Sequence, residues 1–243
     1  MKFFRSFLVL VEICIFGIGA LIIGCIIFPV LSIFIKRKNR RKIFSEIIHL
    51  SWNFFIRLMK ITKVINIHLN GKLSEIRGKI VVASHPSLID IVILIGQMPK
   101  SLCLAKQELL KNPVMHNIVK SLYIINNIDP EIFQKNAMEA LSEGYNIVIF
   151  PTGTRTLQNE PIKIHKGAAQ LSILSGINIT PINIKTDYPF LIKHHSPLDA
   201  GEKTVNYHLK IMPEINPKDY LEEPNNEIKA RNHICEKIKK YIN

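Results

Sequence analysis

The sequence predicts an α/β fold: a mostly parallel sheet flanked by helices, preceded by an N-terminal membrane helix and an amphipathic interfacial helix. Three observations carry this expectation. Short apolar runs rich in Val and Ile recur at 64–69, 79–84, 102–105, 147–150, 179–185 and 207–214. Helical patterns separate or follow them at 88–96, 108–120, 132–142, 166–175 and 226–241. Strands that are apolar throughout suit a sheet covered on both faces, and their alternation with helices argues parallel connections. The third observation is the run 7–35, where Glu12 is the only charged residue.

That run exceeds the roughly 20 apolar residues a helix needs to cross a bilayer core. Lys2 and Arg5 precede it, and Lys36, Arg37, Lys38, Arg40, Arg41 and Lys42 follow it. The excess of cations after the run predicts a following domain on the cytoplasmic side of the cell (inner) membrane. A cleaved signal would have a shorter apolar region. The stretch Ile22-Ile23-Gly24-Cys25 resembles a lipoprotein cleavage box, but apolar sequence continues past Cys25 to Ile35. A segment broken at Pro29 that dips into one leaflet is the remaining alternative to a full crossing.

In 44–61, Phe44, Ile47, Ile48, Trp52, Phe55, Leu58 and Met59 recur at helical spacing, with Glu46, His49, Asn53, Arg57 and Lys60 opposite. Such a helix lies in the membrane interface or packs its apolar face on a domain core; Trp52 and the adjacent basic run favour the interface. The organisation expected is a membrane anchor with amphipathic helix over 1–62 and a catalytic domain over 63–243. Gly144 and Gly176 each follow a helical pattern and precede a strand, as helix stops do. The terminal helix carries Ile228, Ile234, Cys235, Ile238 and Tyr241 on one side and its cations on the other.

The net charge of +13 calls for an anionic partner: membrane lipid headgroups, a phosphorylated substrate or an acidic protein. Nucleic acid is not expected, because basic and aromatic residues do not interleave as RNA-binding surfaces require. Cys14, Cys25, Cys103 and Cys235 are scattered without metal-ligand or disulfide spacing and read as reduced apolar fillers. The nine histidines show no H-E-x-x-H spacing, so no metal is expected. The oligomeric state is left open.

Two segments hold the chemistry. Ser84-His85-Pro86-Ser87-Leu88-Ile89-Asp90 follows the run 79–84 and opens a helix, at the strand ends where α/β sheets bind substrate. A carboxylate five residues after a histidine can fold back onto the imidazole, fix its tautomer and leave the other ring nitrogen as a general base. Spacing alone is weak evidence, since His194 and Asp199 repeat it in a stretch read as a surface loop. The second segment, 147–156, is an apolar strand entering the turn Thr152-Gly153-Thr154-Arg155-Thr156. Gly153 permits close backbone approach, Thr154 and Thr156 offer hydroxyls, and Arg155 offers a planar cation suited to phosphate. An ordinary strand-to-loop turn with a solvent-facing Arg would look the same.

Together the segments carry a resemblance. The Ser84–Asp90 stretch resembles the H-x-x-x-x-D box of the lysophospholipid acyltransferase family, of the 1-acyl-sn-glycerol-3-phosphate acyltransferase type. Residues 150–156 resemble that family's F-P-E-G-T-R-S box, about sixty residues later. Ala105-Lys106-Gln107-Glu108-Leu109 with Asn112-Pro113 is similar to its K-x-E-L segment. Lys166-Gly167-Ala168 and Thr180-Pro181-Ile182 are similar to its next two boxes. The resemblance implies direct acyl transfer, with His85 and Asp90 as catalytic pair and no acyl-enzyme. It also implies substrate binding by Lys106, Gly153, Thr154, Arg155 and Thr156, and acyl-CoA or acyl-carrier protein as donor substrate with no cofactor. Thr152 stands where the family has Glu, and Tyr123-Ile124-Ile125-Asn126-Asn127 carries no cation where the family has a phosphate-binding Arg. The expected acceptor is therefore lysophosphatidic acid or another lipid or carrier-bound intermediate. A catalytically silent module that binds anionic lipid is the other open class.

Overall fold

A computed structural model describes residues 2–105, 110, 111, 116, 118, 119, 123–125, 129–156, 162–221 and 226–243. Within them lies a seven-stranded sheet: β1 (Ile65–Asn70), β2 (Ile80–Ala83), β3 (Ser101–Ala105), β4 (Tyr123–Ile125), β5 (Asn146–Ile149), β6 (Ile179–Thr186) and β7 (Val205–Ile211). Their order is β1-β7-β6-β2-β5-β3-β4. The five strands from β6 to β4 are mutually parallel; β7 runs antiparallel to β6, and β1 runs parallel to β7. The carboxyl ends of β2, β5 and β6 therefore share one edge of the sheet.

The pleat of the central strands sorts their side chains into two cores. Ile80, Val82, Ile147 and Ile149 pack against α5 (Pro130–Ser142), α6 (Gly167–Ser175) and α7 (Glu227–Ile242). Val81, Ala83 and Val148 face the opposite layer with α3 (Arg37–Ile61) and α4 (Asp90–Gln97). This three-layer arrangement is the α/β sandwich the sequence predicts. The helical pattern at 108–120 falls mostly outside the described residues, although His116, Ile118 and Val119 are helical.

The N-terminal run forms α1 (Lys2–Ile22), a π-helical turn (Ile23–Ile27) and α2 (Phe28–Phe34). The π turn has a local cause: Pro29 lacks the N–H that the next α-helical bond needs, and Phe28 N–H reaches back to Ile23 O instead. From Lys2 to Phe34 the run is long and apolar enough to cross a membrane. One stripe faces the protein: Val9, Phe16, Ala20, Ile23, Ile27 and Phe28. Phe16 meets Phe55 at a ring distance of 4.8 Å, and Phe28 stacks on Phe44 at 4.1 Å. The other faces, including Phe7, Leu10, Ile18, Ile26, Ile33 and Phe34, are exposed.

Both ends of this helical run are tied to the rest of the chain. Arg5 donates to the carbonyls of Lys63, Ala200, Gly201 and Lys203. Past the turn at Lys36, Arg41 pairs with Glu139 on α5 at 3.5 Å and with Glu143, the C-cap of α5, at 3.0 Å.

Helix α3 differs from a simple two-faced reading. Its apolar residues Phe44, Ile48, Trp52, Phe55 and Met59 are buried in the core, while Leu50, Phe54 and Ile61 stay exposed. Its polar face is not wholly turned to solvent. His49 Nδ1 donates to Ile95 O at 2.7 Å and Asn53 Nδ2 to Gly96 O at 2.7 Å, satisfying carbonyls that α4 leaves open at its C-terminus. Gly96 allows this approach: a Cβ there would lie 3.1 Å from the main chain of Trp52 and Asn53. Helix α4, which begins with Asp90, is thereby fixed between α3 and the sheet.

Candidate active site

Strand β2 ends at Ala83, and the chain turns into α4 through residues 84–89. Ser84 closes the strand by hydrogen bonding with the main chain of Ile184 on β6. His85 is left at the open sheet edge with 16% of its side chain exposed, its ring stacked on Phe150 at 4.1 Å. Asp90, in the first turn of α4, is fully buried. His85 Nδ1–H donates to Asp90 Oδ2 at 3.1 Å, and the same oxygen accepts Ser87 N–H at 2.7 Å. Burial pushes the Asp90 carboxyl above its usual range; the His85 bond and charge, Ser87 N–H and the Arg155 charge pull in the other direction. With Nδ1 committed to Asp90, Nε2 is the ring nitrogen free to accept a proton.

Behind the pair lies a buried hydroxyl cluster that sequence reasoning did not single out. Ser87 Oγ lies 2.9 Å from Phe190 O and 3.0 Å from the Tyr207 hydroxyl, and Tyr207 OH donates to Phe190 O at 3.2 Å. Tyr207 sits on β7, far along the sequence, and burial pushes its phenol up. No local pattern links it to the His85 segment; only the strand order does.

The turn after β5 faces His85. Thr156 N–H donates to His85 O at 3.0 Å, joining the two segments through the main chain. Gly153 N–H bonds to Phe150 O at 3.0 Å, with Gly153 in the left-handed region at φ +67°. A side chain there would also press on the His165 ring at 3.3 Å. Thr152, at the position where the resemblance expects Glu, turns its hydroxyl onto Thr154 O at 2.8 Å and closes the turn on itself. Gly153 and Thr154 are exposed; Arg155 and Thr156 are half-buried. Arg155 Nη1 donates to Leu191 O at 3.0 Å. A small cleft of about 110 Å³ beside the turn is lined by Pro86, Thr156, Thr186, Tyr188 and Ile192.

His85, Asp90, Arg155 and Thr156 are thus brought together, with Gly153 and Thr154 on the same turn. Lys106, together with Asn126 and Asn127, lies outside the described residues. The second His/Asp spacing does not form a pair of the same kind. His194 is exposed, and Asp199 is held by Tyr188 OH, Gly201 N–H and Lys2. Of the four cysteines, Cys103 is a buried filler whose thiol is pushed up to about 12, while Cys235 is half-buried and Cys14 and Cys25 are exposed.

A carboxylate-oriented histidine thus stands at the strand ends of an α/β sheet, opposite a turn carrying a cation. A family model described as Acyltransferase matches residues 64–185, just over half of the chain, and the chain belongs to that family. Among curated proteins it is 22% identical over 160 residues to a 1-acyl-sn-glycerol-3-phosphate acyltransferase of Cocos nucifera, covering 55% of this chain and 51% of that one. It is 27% identical over 110 residues to the enzyme of that name from Bacillus subtilis (strain 168), covering 43% of this chain and 54% of that one. The chain thus spans about half the length of these curated relatives. In fold it is similar to the 1-acyl-sn-glycerophosphate (LPA) acyltransferase PlsC of Thermotoga maritima, with a TM-score of 0.68 at 20% identity over 99% of this chain and 97% of that one.

Proposed function

We propose that this chain is a membrane-associated O-acyltransferase. It transfers a fatty acyl group from acyl-CoA or acyl-carrier protein to a hydroxyl of a lysophospholipid, 1-acyl-sn-glycerol-3-phosphate being the acceptor its relatives' names favour. The observation that carries the reading is the His85–Asp90 bond at 3.1 Å, with its carboxylate buried and its imidazole open at the strand ends.

The chemistry follows from that geometry. His85 Nε2 takes the proton of the acceptor hydroxyl, and the oxygen attacks the thioester carbonyl. The tetrahedral intermediate collapses with loss of the thiolate, which takes the proton back from the imidazolium. Asp90 holds Nδ1 and stabilises the imidazolium while it exists. Arg155 binds the acceptor phosphate as a planar cation. The apolar cleft of about 490 Å³ between α1 and α3, lined by Phe16, Ala20, Ile23, Ile47 and Phe55 among others, has the chemistry to receive an acyl chain.

The exposed faces of α1 and α2, with Lys36, Arg37 and Lys38 at the turn, support a membrane seat. Because Arg5 and Arg41 tie both ends of the run to the same body of protein, we read it as entering the bilayer from one side. The domain then faces the cytoplasm at the cell (inner) membrane, in line with the cations at 36–42.

The test is an assay of membranes carrying the protein, with labelled acyl-CoA and acyl-carrier protein against a panel of lysolipids. Transfer that is lost in His85→Ala and kept in His194→Ala supports the reading; equal transfer in both would falsify it. A second reading keeps the reaction and changes the acceptor. It is favoured by Thr152, whose hydroxyl is spent inside the turn where the family has a carboxylate. In that case another lysolipid in the panel outcompetes lysophosphatidic acid.

A further inference from the structure

The 187–204 segment joins β6 to β7 across the open end of the sheet, and two consecutive carbonyls in it bind the site together. Phe190 O lies within hydrogen-bonding distance of the buried Ser87 and Tyr207 hydroxyls. Leu191 O accepts from Leu88 N–H at 3.0 Å, next to His85, and from Arg155 Nη1 at 3.0 Å. The same two residues therefore touch the His85–Asp90 turn, the Arg155 turn and β7. Leu191 holds φ +56°, a conformation that a branched residue rarely adopts. Its neighbours over-determine that conformation: Phe190 is fully buried, and the Leu191 side chain packs on the core. The far end of the segment is clamped by Arg5 on the carbonyls of Ala200, Gly201 and Lys203.

A guanidinium is flat and rigid, so fixing one of its nitrogens restricts the plane of all the others. An Arg held in this way has already lost the rotamer freedom that capturing an anion would otherwise cost. We infer that the main-chain carbonyl of Leu191 is the positioning group for Arg155, presenting the remaining guanidinium N–H groups to the acceptor phosphate, with Ser87 and Tyr207 anchoring the preceding carbonyl, that of Phe190, and so the main chain that carries it. The inference rests on the reading of Arg155 proposed above. It assigns a role in acceptor binding to Leu191 and Tyr207, which lie beyond the family-matched segment at 64–185.

The test is steady-state kinetics of the full chain in phospholipid–detergent micelles, varying lysophosphatidic acid and acyl donor separately. Arg155→Ala sets the reference. Leu191→Pro cannot hold a positive φ and is expected to raise the KM for lysophosphatidic acid about tenfold, as loss of a charge-assisted contact does, with the donor KM unchanged. Leu191→Asn, which tolerates the left-handed region, restores the parent value. Tyr207→Phe keeps the ring, removes the hydroxyl and shifts acceptor KM in the same direction by a smaller factor. In the Arg155→Ala background, Leu191→Pro and Tyr207→Phe add nothing further. Effects that multiply with Arg155→Ala, or that fall on kcat and donor KM together, overturn the inference. If Leu191→Pro does not fold, an unchanged acceptor KM in Tyr207→Phe overturns it equally. An unchanged acceptor KM in Arg155→Ala itself removes the Arg155 reading, and the inference with it.

Discussion

The chain contains the same spacing twice, and the two copies end differently. His85 and Asp90 follow a buried strand and open a helix; His194 and Asp199 lie in the segment between β6 and β7. In the first copy the helix start brings the carboxylate back under the imidazole at 3.1 Å and buries it completely. In the second, His194 holds φ +62° and stays exposed, and its neighbour His195 comes only within 4.0 Å of Asp199. The carboxylates diverge accordingly. Burial raises Asp90 above the ordinary value of 3.8. Gly201 N–H, Tyr188 and Lys2 hold Asp199 below it, against some desolvation. A five-residue step makes a pair only where a strand end and a helix start supply the turn.

The largest effect that tests this contrast is on rate. Asp90→Asn replaces an acceptor-only carboxylate by a neutral amide that can also donate, so the His85 tautomer is no longer fixed and the imidazolium loses its counter-charge, and kcat is expected to fall by about 10²–10⁴-fold, the usual worth of general-base help. The same change should leave the protein more stable at neutral pH. The folded state keeps the Asp90 proton to a higher pH than the unfolded chain does, because its carboxyl is raised. The share of stability linked to the Asp90 proton is thus fully present below about 3.8 and is lost as pH rises through the raised value. Asn carries no charge to desolvate, so thermal midpoints of the two proteins should separate as pH rises through that window. Midpoints that stay parallel from pH 4 to 8 would mean that burial of the carboxylate costs the fold nothing.

The next effect asks whether the helix behind Asp90 makes the first copy what it is. Gly96→Ala places a methyl 3.1 Å from the main chain of α3, where backbone rather than a flexible side chain must yield. Overpacking of this kind costs about 1–3 kcal/mol. The thermal midpoint should drop, and kcat with it if α4 shifts under Asp90. A midpoint equal to the parent's would show that the α3–α4 contact is looser than its two 2.7 Å bonds suggest.

What the sequence made legible follows from this contrast. The strands at 80–83 and 146–149 could be read because both their faces are buried, so every residue but Asn146 is apolar. The three-residue β4 could not: it sits at the sheet edge, too short to show a period. That β7 runs antiparallel to β6 has no local signature either. His49 and Asn53 look solvent-facing on a helical wheel, yet they satisfy the carbonyls at the end of α4, a role set by where another helix stops. At the site, the side chains of His85, Asp90 and Arg155 announce themselves by chemical type. The carbonyls of Phe190 and Leu191 do not, because a main-chain acceptor is the same in every residue. Reading 193–199 as a surface loop described its exposure and missed what the residues just before it hold.

The smallest effect belongs to the second carboxylate. Asp199→Asn keeps an oxygen to accept from Tyr188 and Gly201 but loses the ion pair to Lys2 at 3.4 Å. Lys2 is largely exposed, so the pair is screened and worth less than ~1 kcal/mol. Because Asp199 is held below its ordinary 3.8, its contribution is present above that value and is lost as pH falls through the lowered one. The difference in thermal midpoint between parent and variant should therefore be small at pH 7, shrink further in high salt and vanish in acid. The Asp90 and Asp199 substitutions thus carry opposite pH signatures: a stability gained at neutral pH in the first, a slight one lost there in the second. If Asp199→Asn stabilised the protein as Asp90→Asn is expected to, the two segments would not differ in the way their surroundings imply, and strand-and-helix context would lose its claim to have made only one of them a bonded, buried pair.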